Sequence, residues 1–167
     1  MASATENLRP SKLWKDLSDD RRLAAATAFW SDAQATAEQA EVLGTIARQI
    51  NFRPKSAMAL PLERKARLLA RSAQVSDLVA ARLLVSYHLA HQRTMMAAFL
   101  DALALPHEEG LLNDDVTPPP REAVIDAGRK LSQTFDAADV RLYFSTLLLQ
   151  DPDTWGALRE VLDGART

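Results

Sequence analysis

Three histidines are the residues of this chain best suited to chemistry. His88 and His91 stand in a long apolar segment, Asp77 to Leu105, and His107 follows the proline that ends it. With Gln92, and with Tyr143 from a later helix, His88 and His91 make a candidate polar, ligand-binding cluster. On a helical wheel Val85, His88, Leu89, Gln92, Met96, Phe99 and Leu103 share one face. His88 and Gln92 are then polar groups four residues apart inside an apolar arc. A buried polar group without a partner costs a few kcal/mol. The two must bond to each other, to backbone or to Tyr143, or else line a small polar pocket. The satisfied core network is the preferred reading.

A metal site would draw on His88, His91, His107, Glu108 and Glu109. H-x-x-H sets two rings about 60° apart on a helix, which is workable but not ideal. The stronger helical signatures, H-E-x-x-H for zinc and E-x-x-H for di-iron, are absent. No cofactor is expected. Nucleophilic catalysis has little support. Ser86 is near His88, but the chain has no G-x-S-x-G elbow, and its five glycines are isolated. The pair Asp19–Asp20 reads as a helix start and Asp114–Asp115 as a solvated loop.

A basic face is the second candidate. Arg64, Arg67 and Arg71 fall at i, i+3, i+7, Lys65 lies beside them, and Arg53 and Lys55 stand upstream. Like charges at this spacing repel, so an acidic or phosphate partner would relieve them. The turn from Ala70 to Ser76 faintly echoes a helix-turn-helix corner. The helix after it opens DLVAARLLV, with Arg82 its one base-reading candidate. Recognition helices present polar side chains, so nucleic acid is disfavoured as a partner.

The elements that must position these groups are helical. Ala and Leu dominate, Gly is scarce, and no strand-period segment of useful length occurs. Residues 1–17 read as a loosely ordered N-terminal arm, pinned by Leu13, Trp14 and Leu17. Residues 18–167 read as a single helical domain. Helix one starts after Ser18 and runs through Leu23, Ala26, Phe29 and Trp30. A capping box at Ser31 and Gln34 opens a second helix, or one helix runs on to Ile50. Leu62, Ala66, Leu69 and Ala73 face inward on a third, after Pro61. Ser76 caps a long central helix over about residues 77–105. Three more follow, the last two capped by Asp136 and Asp151. The expected fold is all-α, a bundle of six or seven helices around that central helix.

Charge is distributed unevenly. Residues 48–93 hold nine basic and two acidic groups, whereas residues 94–167 hold six basic and thirteen acidic ones. Such asymmetry speaks to association, within a subunit or across a dimer. Leu111 and Leu112 lie among acidic residues. They are read as core, with an apolar docking knob as the alternative. The N-terminus has no apolar signal core, and charged residues interrupt the central segment, so no membrane partner is expected. With no cysteine, the sequence fits a cytoplasmic setting. It therefore points to a non-enzymatic protein that acts by association, as a homodimer or a regulatory partner. The alternatives are a small-molecule or metal-dependent enzyme at His88, His91 and Gln92, and an anion or nucleic-acid binder using the basic face.

Overall fold

Local capping rules set four of the helix starts in the computed structural model, which describes residues 5–72 and 74–165. Ser18 accepts from the Arg21 amide to open α2 (Asp19–Ser31). Ser76 accepts from the Val79 amide to open α6 (Asp77–His91). Asp136 opens α9 (Ala137–Gln150), and Asp151 with Pro152 opens α10 (Pro152–Trp155). Each side-chain oxygen satisfies an amide that the first helical turn leaves without a partner.

The fold is all-α. Eleven helices and one two-stranded hairpin occur among the described residues, more than the expected six or seven, in part because two are single turns and the expected long helix is divided. The described residues form two compact units, Arg9–Ala90 and residues 91–165 with 5–8.

The first unit contains α1 (Pro10–Asp16), α2, α3 (Thr36–Gln49), α4 (Pro54–Met58), α5 (Leu62–Arg71) and nearly all of α6. In the stretch read as an arm, α1 buries Trp14 completely, and its indole N–H donates to the Ser72 carbonyl at 2.8 Å. α2 packs most extensively on α5. Ala25, Ala26 and Ala66 are fully buried there, and their small side chains let helix backbones approach closely. Leu23 of α2 is exposed. The expected boundary between two helices is real, but Asp32 makes it rather than Ser31. Asp32 accepts from the Gln34 amide, while the Ser31 hydroxyl bonds back to Thr27. Gln39 then closes the α2 end by donating to the Phe29 and Asp32 carbonyls. Leu62 is exposed although Ala66 and Leu69 are buried, and Ala73 lies outside the described residues.

The second unit contains α7 (Arg93–Ala102), the hairpin β1 (His107–Glu108) and β2 (Leu111–Leu112), α8 (Arg121–Thr134), α9, α10 and α11 (Leu158–Gly164). Its core is aromatic. Phe99 meets Tyr143, Phe144 and Trp155 with ring centroids 5.8, 5.1 and 5.7 Å apart. Such tilted and edge-on pairs are favoured by the ring quadrupole.

The expected continuous helix over 77–105 is corrected. It is two helices, α6 and α7, separated at Gln92, whose backbone leaves helical geometry at φ −124°, ψ 16°. A single wheel drawn across both therefore fails. In α6 the buried set is Val79, Ala80, Leu83, Leu84, Ser86, Tyr87 and His88, whereas Val85 and Leu89 are half-buried. In α7 Met96 and Phe99 are buried as the wheel indicated. No described helix is long and apolar enough to cross a membrane.

Candidate functional site

The sequence from Val42 to Ser76 has one acidic residue, Glu63, and seven basic ones. Its first landmark is the end of α3. Asn51 adopts a left-handed backbone, φ 56°, and the Phe52 amide donates to the Ala47 carbonyl at 2.8 Å. This is a Schellman-type helix end, with the apolar residue just beyond the left-handed one. Phe52 nevertheless stays 40 % exposed, with the Arg64 guanidinium 6.0 Å from its ring centre. That is the outer limit of a cation–π contact.

Pro54 then starts α4, a single turn held by Ala57, which packs with Leu43, Ala47 and Trp30. Met58, at its end, is 59 % exposed, and Leu62 at the start of α5 is 42 % exposed. The basic residues of the same stretch, Arg53, Lys55, Arg64, Arg67 and Arg71, are all exposed. Lys65 is different. Its ammonium donates to the Met58 carbonyl at 3.4 Å and lies 4.9 Å over the Trp30 ring, so it braces α4 against α2 and α5. Arg67 pairs with Glu63 one turn away. The surface is therefore mixed: apolar side chains interleaved with cations, on two short helices and the loop before them. The cations are legible from spacing; the exposure of Phe52 and Met58 is not.

Two of the three histidines, His88 and His107, are held by local bonds. His88 is buried, and its Nδ1–H donates to the Leu84 carbonyl at 2.7 Å, one turn back on α6. Its ring meets Tyr87 edge-on at 5.6 Å. His88 belongs to the first unit, and His91, Gln92 and Tyr143 to the second. His91 is exposed and Gln92 is half-buried. Tyr143 sits in the aromatic core, where burial pushes its phenol above the ordinary range. Ser86 donates to the Asp32 carboxylate at 2.8 Å, which ties α6 to the α2–α3 turn. Arg82, the base-reading candidate, stands 3.6 Å from Glu38.

His107 fastens the hairpin. The Gly110 amide donates to its Nδ1 at 3.1 Å, which assigns the ring proton to Nε2, and Nε2 donates to Asp101 at 2.9 Å. The turn residues Glu109 and Gly110 both have positive φ, 49° and 87°, as a type I′ hairpin turn requires. Arg93 contacts the Glu109 carbonyl at 3.3 Å and stands 3.7 Å from its carboxylate. Glu108 is exposed. Among the described residues no group of three or more His, Asp or Glu is arranged to hold a metal ion. Leu111 and Leu112, read as core, are 44 % and 38 % exposed. Both lie on the two-residue strand β2, outside the core.

No protein-family model, curated protein or solved structure matches the chain.

Proposed function

We propose that this protein acts by association in the cytoplasm, as a homodimer or as a regulatory partner of another protein, and that the α4–α5 face is its contact surface. The observation that carries this reading is the exposure of Phe52, Met58 and Leu62 among Arg53, Lys55 and Arg64. Contiguous exposed apolar groups rimmed by charge are typical of contact surfaces. Aromatic, Met and Arg side chains are the types enriched where binding energy concentrates. The rigidity of this face supports the reading too. Lys65 and Ala57 lock α4 in place, so little ordering is left to oppose binding. The absence of cysteine is in keeping with a reducing compartment.

The test is sedimentation velocity of wild type against Phe52→Ser/Met58→Ser. Both side chains are largely exposed, so the fold should be retained. Self-association, or capture of the partner, should weaken by about tenfold or more, as when interface anchors are removed. Association unchanged in a folded variant would refute the reading.

A further inference from the structure

Five of the seven large apolar residues exposed among the described residues fall on two surfaces. Phe52, Met58 and Leu62 lie on the α4–α5 face, and Leu111 and Leu112 on the β1–β2 hairpin. The two surfaces are opposite in charge. Cations surround the first; Glu108, Asp114 and Asp115, all exposed, surround the second. We infer that the hairpin of one copy docks on the α4–α5 face of a second copy. This deepens the reading above and rests on it, since it supplies the occupant of that face.

The hairpin is built to present its leucines. Gly110 is buried against α7, where a Cβ would stand 2.7 Å from the Met96 Cβ and 3.1 Å from the Arg93 carbonyl oxygen. His107 links the turn to Asp101, and Arg93 holds Glu109. The base is thus pinned to α7 while Leu111 and Leu112 face solvent. An apolar knob on a pinned turn loses little freedom on docking. Two leucines meeting Phe52 and Met58 remove apolar surface from water, and the flanking carboxylates meet Arg53, Lys55 and Arg64. Opposed potentials of this kind fix register and speed encounter.

Charge reversal in two sets tests the pairing. One variant is Arg53→Glu/Lys55→Glu on the face, and the other is Glu108→Lys/Asp114→Lys on the hairpin. None of these four side chains is needed to pin α4 or the turn. Circular dichroism confirms the fold of each. Sedimentation should show self-association weakened about tenfold or more in either variant alone, as like charges are brought together. An equimolar mixture should regain wild-type association. In the mixture the acidic face of one variant meets the basic hairpin of the other, and the unchanged surfaces meet as in wild type.

Weakening by the face variant alone, with the hairpin variant behaving as wild type, would overturn the pairing and leave the contact-surface reading standing. No effect from either variant would overturn both. A wild-type chain that does not self-associate but floats with vesicles rich in phosphatidylserine would make the face a lipid contact, and would also overturn the pairing.

Discussion

Replacing Gly110 with alanine is the sharpest local perturbation the structure offers. Gly110 is buried at φ 87°, a left-handed conformation that costs a side-chain-bearing residue roughly 1–2 kcal/mol. The added Cβ would stand 2.7 Å from the Met96 Cβ and 3.1 Å from both the Ala97 nitrogen and the Arg93 oxygen. Two of those neighbours are backbone, and the third is the first carbon of its side chain, so none can swing aside. Overpacking of this kind costs about 1–3 kcal/mol. The sum, about 2–5 kcal/mol, is the expected loss unless the hairpin lifts from α7, which would lower it. Gly44 supplies the control of opposite sign. It lies inside α3, and a Cβ added there would have nothing within 4 Å. Gly→Ala in a helix interior is favourable by about 0.5–1 kcal/mol. Urea melts of both variants make the comparison. A Gly110→Ala loss below about 0.5 kcal/mol, with hairpin amides still protected from exchange, would refute the packing argument.

Asp77 should titrate low. The Ser11 side chain and amide bond it, and Arg9 adds a further bond, which holds its carboxyl at about 2 against an ordinary value of 3.8. The folded value is the lower one, so its contribution is present above about pH 3.8 and lost as pH falls toward 2. Carboxyl-carbon NMR would show a midpoint near 2; a midpoint near 3.8 would refute the Ser11 and Arg9 contacts. Leu83→Ala should cost about 2–5 kcal/mol, and clearly more than Leu89→Ala, because Leu83 is fully buried and Leu89 only half. Equal losses in denaturant melts would restore the face that the sequence wheel assigned. His88→Ala should lower stability by about 1–3 kcal/mol through the lost ring packing and its bond to Leu84. A variant as stable as wild type would argue against a structural role for the ring.

Features governed by short-range rules are legible in the sequence. Ser18, Ser76, Asp136 and Asp151 cap where their spacing to the next amides indicates, because a cap depends on three or four consecutive residues. The break at Gln92 leaves no such mark. The segment has neither Gly nor Pro, and propensity differences of tenths of a kcal/mol per residue yield readily to tertiary packing. Two-residue strands are too short to show a period, so the hairpin looks like loop in the sequence and its leucines look like core. The basic face is legible as charge spacing on α5. What the spacing does not show is that Lys65 turns back onto Trp30 and Met58, or that Phe52 and Met58 stay in solvent. Of the histidines, the most chemical-looking residues, His88 makes a backbone bond that the sequence leaves as one alternative, whereas the His107 bonds to Asp101 and Gly110 have no mark in the sequence.

Sedimentation equilibrium of the wild-type chain across ionic strength tests the association account most directly. Docking between an acidic knob and a basic face should be strongest at low salt and weaken as the screening length shortens to about 3 Å near 1 M. The weight-average mass should therefore exceed 18.4 kDa at low salt and fall toward it as salt rises. A mass of 18.4 kDa at every ionic strength and concentration would contradict self-association through these surfaces.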